Sequence, residues 1–361
     1  MKRVLAFLMA ALLVALTACG KKEEPPPPEE PPPVEEPEPL PVPEPEPEPE
    51  PYVPAGTNPL TGLPIEPEEM SKRPVAVMLN NIKKAQPQIG ISQADVIYEV
   101  PAEGGITRML AVYQSLEGVE LLGSVRSTRP YYIELALGHD ALLVHAGGSQ
   151  EAYTDLRKWR VDNMDGVRGG EDAKIFWRDP DRKRNNGYEH SLVTSGEKIQ
   201  EYLARSGFEL EHPGTYHYLQ AFTEDGTPEN GETAEQVTVK FSNYKTGTFV
   251  YDPVSKTYQA SQYGEAHVDG GNGQQVSTVN LLVLETSMQI LDSEGRLRVQ
   301  TIKGGDGTYF CGGKAIPIFW ERNGREDPLV YTLQNGRPLA MGKGNSYVCL
   351  ISPKTGSLRY Q

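Results

Sequence analysis

"GSVRSTRPYYIELALGHDALLVHAGGS", residues 123–149, decides how the chain is read. Arg126 and Arg129 stand three apart, just before Pro130. Proline suits the first turn of a helix, where its missing N–H costs nothing. Ser127 or Thr128 is the expected N-cap, "YYIELAL" continues the helix, and Gly138 is placed to end it. "VELLGSV" (119–125) and "ALLVH" (141–145) read as strands on either side. Ser149 is the expected cap of a further helix running to Trp159. Two strands joined by a helix are expected to be parallel, with a right-handed crossover. The arginine loop and the Ala146–Ser149 loop then share one sheet edge, where open α/β sheets take ligands. Two helix N-termini beside two guanidinium groups make a site for a carboxylate or phosphate. The competing reading is that the arginines pair with acids such as Glu103 or Asp140 and only tie loops together.

Upstream, "PVAVML" (74–79) reads as a buried strand ending at Asn80-Asn81, and residues 95–114 as a hairpin around "PAEGG". Downstream, residues 207–236 are turn-rich and polar. Beyond them come short apolar runs separated by "DSEG", "GGDG", "RNG" and "QNG", which are turn signals. The expected class is α+β: an α/β-type mixed-sheet domain over 56–206, a linker over 207–236 and a β-rich domain over 237–361.

The first 55 residues belong to neither domain. Lys2 and Arg3 precede the apolar run "VLAFLMAALLVAL", which has signal-peptide length. It ends in "LTAC", so residues 1–19 are expected to be a lipoprotein signal with Cys19 as the lipidated residue. Two or three acyl chains anchor a protein stably where one does not. Residues 20–55 are expected to be a stalk. Residues 21–54 contain sixteen prolines and eleven glutamates, a composition that favours extended polyproline II and builds no core. At about 3.1 Å per residue such a stalk reaches roughly 100 Å. The net charge of −14 divides into −9 on residues 21–54 and −7 on the body, offset by the basic signal. That acidity argues against nucleic-acid binding.

The other chemistries are thinly supported. Cys311 and Cys349 remain after Cys19, and two thiols in an exported chain suggest a disulfide, or else two separate buried thiols. "GGSQE" around Ser149 lacks the nucleophile elbow G-x-S-x-G. "SNYK" (242–245) and "KTG" (354–356) lack the S-x-N that a penicillin-recognising enzyme places between them. There is no H-E-x-x-H. His267 and Asp269 could ligate a metal, but a polar turn explains them as well. No metal or cofactor is expected.

Several stretches resemble a known family. "RPVAVMLNN", "QADVIYEVPAEGGITRMLAVYQS", "GSVRSTRPYYIELALGHDALLVHAGGSQEAY" and "FWRD" are similar to the first domain of the bacterial YerB-type lipoproteins. "HVDGGNG", "VNLLVLE", "GDGTYFCGGKAIPIFWER" and "YVCLISP" resemble their C-terminal domain. The resemblance implies a two-domain envelope lipoprotein containing a domain of unknown function, and it supplies no reaction. Near "YEHSLVTS" the family more often reads Pro-His-Asn, so His190 fits while Glu189 and Ser191 depart, which removes support for a role of Ser191.

The sequence thus leads to a lipoprotein on the outer face of the cytoplasmic membrane that binds an anionic envelope ligand. Its partner would be a wall polymer or a wall-synthesis protein. The expected ligand-binding residues are Arg126, Arg129, Arg108, Asn80, His145, Gly147, Gly148, Ser149 and His190. The alternative is a glycan-active hydrolase or transferase with Glu103 or His145 as general acid or base, with Tyr131, Tyr132, Trp159, Phe176 and Trp177 as candidate sugar-facing aromatics. A purely structural partner is the third option.

Overall fold

Eleven strands from both halves of the chain share one mixed sheet. The first half supplies β1 (Val75–Asn80), β2 (Val96–Pro101) and β3 (Thr107–Tyr113). After the short β4 (Leu122–Gly123), helix α1 (Pro130–Leu137) leads to β5 (Leu142–His145), and α2 (Gln150–Lys158) leads to β6 (Asn163–Asp165). The second half contributes β7 (Asn280–Glu285), β8 (Lys303–Cys311), β9 (Lys314–Arg322) and β10 (Ser346–Ile351). In space the order is β9-β8-β7-β10-β2-β3-β1-β5-β6, with Glu232–Thr233 and Val330–Leu333 each paired to β9. The computed structural model describes residues 56–361 except Leu219. The expected signal, the lipidation of Cys19 and the stalk over 20–55 lie outside the described residues.

The halves meet where β10 pairs with β2 in parallel, Ser346 against Val96 through Cys349 against Glu99. Parallel strands covered on both faces read as continuous apolar runs. "VAVML" and "YVCLI" are such runs, and both strands are buried throughout. Side chains alternate between faces. Ala76, Met78, Leu110 and Val112 pack with α1 on one side. Val75, Val77, Leu79, Met109 and Ala111 share the other core with Val237, Phe249 and Tyr258 of a six-stranded antiparallel sheet. The strand-rich α+β expectation agrees with this architecture. Both halves contribute strands to this one sheet, and the expected linker over 207–236 carries strands of its own. Within 207–236, Ala221–Thr223 pairs in parallel with Ala340–Gly342, and Glu232–Thr233 joins β9.

The stretch 123–149 keeps its helix and its second strand but not its first. Only Leu122–Gly123 forms a strand, which pairs with Leu192–Thr194 in a separate three-stranded sheet, while Val125 makes an isolated antiparallel bridge to Leu79. The parallel neighbours of β5 are β1, with Val75 opposite Leu142, and β6, with Leu143 opposite Asn163. Residues 119–125 therefore do not form a parallel crossover with β5. Pro130 opens α1 as expected, but the N-cap is Arg129 and no side chain caps the helix. Ser127 is diverted, its hydroxyl donating to the Ala146 carbonyl at 2.9 Å. Ser149 does cap α2, its Oγ accepting from the Ala152 N–H at 3.1 Å.

Candidate functional site

The loop 124–129 lies across the carboxyl ends of β1 and β5. The Arg126 N–H donates to the Met78 carbonyl, the Ala146 N–H to the Arg126 carbonyl, and the Thr128 N–H to the Gly147 carbonyl. Asn80, the arginine loop and the Ala146–Ser149 loop are therefore neighbours at one edge, although β1 rather than residues 119–125 is the reason. The edge is built for loop-to-loop bonding. Gly147 has φ +81, and a Cβ there would sit 3.3 Å from Ser127 Oγ; its N–H donates to Asp165 Oδ1 at 2.8 Å. Gly148 bridges Thr128.

The acid for the arginines comes from the chain itself. Arg108, on β3 opposite Asn80, reaches Glu103 Oε2 at 3.2 Å and donates to the Ser127 carbonyl at 2.9 Å. Arg129 Nε binds the other oxygen of Glu103, and its Nη1 donates to the Thr128 carbonyl at 2.7 Å. Glu103 thus sits between two guanidiniums. Burial alone would raise its pKa, but Arg108 and Arg129 outweigh burial and hold it below the usual range. Burial, then repulsion from Arg129, brings Arg108 down to about 10. Arg126 is different. Its side chain is 29% exposed, and its guanidinium lies 3.4 Å from the Glu189 carboxylate, whose side chain is 70% exposed. Beside it His190 is held through Nδ1 by the Asn80 amide at 3.0 Å. Burial first, then Arg126, Lys84 and Arg182, push His190 below the ordinary histidine value, against the pull of Glu189.

The catalytic candidates are both engaged. His145 has no exposed surface. Its Nδ1 faces the Gly147 carbonyl at 2.8 Å and its Nε2 faces Asn163 Oδ1 at 3.1 Å. With Glu103 committed to two arginines, neither group is placed as a free acid or base. At the start of α1 the Tyr132 N–H is already bonded to the Arg129 carbonyl at 3.0 Å. Tyr131 and Tyr132 are core, donating to the Pro101 carbonyl at 3.0 Å and the Val100 carbonyl at 2.8 Å. Ser191 Oγ donates to the Tyr188 carbonyl. Phe176 packs against the core and Trp177 lies 6.0 Å from Lys198 Nζ.

Cys311 and Cys349 are free and buried, which decides between the two readings in favour of separate thiols. Strand β7 separates their strands, a spacing of about 10 Å between strand axes, and the thiols face different cores. His267 and Asp269 act as a clamp. His267 Nε2 meets Gln88 Oε1 at 2.8 Å, and Asp269 accepts from the N–H groups of Gly90, Ser92 and Gly271.

Two features escaped the sequence. One is a cleft of about 950 Å³ whose lining includes Trp159, Asp140, His212 and Tyr216. Asp140 holds Arg73 and accepts from His212 at 2.9 Å, rather than pairing with the arginine loop. His212 also stacks on Tyr216 at 4.4 Å. The signal was "HPGTYHY" (212–218), whose alternating rings were masked by the turn chemistry of Pro213-Gly214. The other is a buried polar centre. Glu99 is bound by Asn81 (2.8 Å), Thr107 (2.6 Å), Tyr347 (2.6 Å) and Lys245 (3.1 Å).

These features sit in a recognised class of two-part chain. Residues 60–209 match the family model described as the N-terminal domain of a protein of unknown function (DUF3048), and residues 237–348 match the model of its C-terminal domain. The chain belongs to the DUF3048 family, and the resemblance read from the sequence holds. A curated relative, the "Putative lipoprotein YerB" of Bacillus subtilis, is 34% identical over 81% of this chain and 85% of its own length. A crystal structure of the YerB protein from Bacillus subtilis matches with a TM-score of 0.73 at 30% identity, covering 84% of this chain and 99% of that one.

Proposed function

We propose that the chain is a lipid-anchored envelope lipoprotein whose body binds an anionic group, phosphate or carboxylate, at Arg126 and His190. The anchor is Cys19, and the acidic stalk carries the body away from the outer face of the cytoplasmic membrane towards a wall polymer or a wall-synthesis protein. The lipoprotein name of the Bacillus subtilis relative and the Leu-Thr-Ala-Cys sequence support the anchor. Among the described residues no helix is long and apolar enough to cross a membrane.

One observation carries the binding reading. Glu103 already satisfies Arg108 and Arg129, whereas Arg126 makes only a long contact with an exposed glutamate. A solvated carboxylate is displaced at small cost, since exposed pairs contribute about 0–1 kcal/mol. A bidentate anion on Arg126 would be stronger than that contact. The enzyme alternative has less support, because Glu103 and His145 are both spent on holding loops. Titration of the soluble body with inorganic pyrophosphate, followed through the His190 imidazole by NMR, tests the site. Saturable binding that raises the His190 pKa and is lost in Arg126→Ala is expected. An unmoved His190, or undiminished binding in the variant, overturns the reading. The anchor is tested separately: Cys19→Ala should abolish lipidation and leave the protein unprocessed or released.

A further inference from the structure

A second site is formed by the turn 242–245 and the hairpin strands Thr246–Asp252 and Thr257–Gln262. A cleft of about 260 Å³ opens there, lined by Tyr244, Thr246, Thr248, Ser261, Gln262 and Tyr263. Thr248 pairs with Ser261 across the two strands, so their hydroxyls stand side by side. Tyr244 and Tyr263 meet edge to face, 6.1 Å between centroids at 69°. Tyr244 is 51% exposed.

Gln262 ties the cleft to the interior behind it. It is 6% exposed. Its Oε1 accepts from Lys245 Nζ at 2.5 Å. An ammonium group only donates, so the amide cannot be turned round. Its Nε2 is thereby left as a buried donor with no partner. The side chain lies on the buried face of its strand, opposite to that of Ser261. Lys245 is fixed in turn by Glu99 at 3.1 Å. Tyr263 is fixed by its hydroxyl, which donates to the Asn81 carbonyl at 2.6 Å. Its φ of +56 puts a tyrosine where hairpin turns favour asparagine or glycine. Ser242 accepts from the N–H groups of Tyr244 and Lys245 and anchors the turn to the Gly105 carbonyl.

We infer that this corner is a binding site for one pyranose ring of a neutral glycan. Aromatic side chains present an apolar face with a polar tip, which suits the C–H face of a sugar. The threonine and serine hydroxyls both donate and accept, which suits sugar hydroxyls. The volume lies just below the range of drug-sized sites, consistent with one ring. No charged group lines the cleft, so its ligand class differs from that proposed for Arg126, and the two sites share no residue.

The soluble body would be titrated with N,N′,N″,N‴-tetraacetylchitotetraose and with cellotetraose, following the side-chain amide and tyrosine resonances by NMR. Saturable shifts at Gln262, Tyr244 and Tyr263 with at least one sugar are expected. Tyr244→Ala, at an exposed position, should weaken binding about fivefold. Thr248→Val, which removes a lining hydroxyl and keeps the β-branched shape, should weaken it as well. Arg126→Ala should change nothing here, which separates this site from the anion site. No saturable shift with either sugar, or equal affinity in both variants, overturns the inference.

Discussion

Glu99 and Glu103 are four residues apart on one strand and the turn that follows it, and the chain treats them in opposite ways. Glu99 lies inside the body, where water cannot help. It has one cation, Lys245, and neutral donors complete its shell: Asn81, Thr107 and Tyr347. Glu103 lies at a sheet edge and has two cations, Arg108 and Arg129. One arrangement is charge-balanced and the other carries a surplus positive charge. A buried pair must be balanced because each uncompensated charge inside costs several kcal/mol. An edge can keep a surplus, since solvent screens it. The surplus is what makes the neighbourhood of Arg126 attractive to anions.

The contrast breaks most visibly at Lys245. Lys245→Met would strand a buried carboxylate and remove the acceptor-fixing partner of Gln262. Breaking a buried pair from one side costs about 3–5 kcal/mol, so a loss of that size in urea unfolding is expected. Adding Glu99→Gln in the same chain should recover much of it. A single variant as stable as the parent would show that Glu99 does not depend on the lysine.

Glu103→Gln comes next, with an expected loss of about 2 kcal/mol, because the pair is partly exposed and hydrogen bonds to charged groups contribute about 1.5–3 kcal/mol. Its pH dependence has a fixed sign. Glu103 has a folded-state pKa held below the unfolded value. Its contribution is therefore present above the unfolded pKa, about 4.3, and is lost as pH falls through the folded value. The stability gap between parent and variant should be full at pH 7 and close in acid. A gap that widens in acid would contradict the two-arginine arrangement.

His267 sharpens the interior side. Burial, then Lys245, lowers its pKa to about 3, so it stays neutral in the fold while the unfolded chain protonates near 6.5. Between those values the unfolded state binds more protons, and stability falls as pH drops. His267→Gln, which keeps a polar contact for Gln88, should flatten the stability profile between about pH 6 and pH 4. An unchanged slope would mean that other groups set the acid sensitivity.

The parts of this organisation that were legible in sequence are the locally encoded ones. Pro130 and Ser149 mark helix starts whatever the strands do, and "PVAVML" and "ALLVH" declare buried strands by composition. Partner choice was not legible. Residues 119–125 have strand composition, but Leu122–Gly123 pair with Leu192–Thr194 and Val125 only bridges Leu79, in the antiparallel sense. The shared sheet was hidden because β2 and β10 are about 250 residues apart. A separation of about 150 residues likewise hid Lys245 from Glu99, and so the site beside Gln262. Glu103 was legible as a partner for the arginines, since five residues of hairpin join it to Arg108. The cysteines stayed undecided because sequence shows that two strands each carry a thiol, but not that β7 runs between them.

Arg126 gives the smallest stability effect. Its guanidinium is partly exposed, and its one ionic contact is long and leads to a solvated Glu189. Exposed pairs contribute about 0–1 kcal/mol and surface substitutions usually stay within about 0.5 kcal/mol. Arg126→Ala should therefore melt within a few degrees of the parent. The loop would hold, because its backbone bonds to Met78 and Ala146 do not involve the side chain. Arg129→Ala makes the matched control, as it removes one of the two cations on Glu103. If the two variants lose the same stability, the edge does not divide its arginines between structure and ligand. If Arg129→Ala is clearly the less stable and only Arg126→Ala loses pyrophosphate binding, the division holds: one arginine is spent on the fold and the other remains available to an anion.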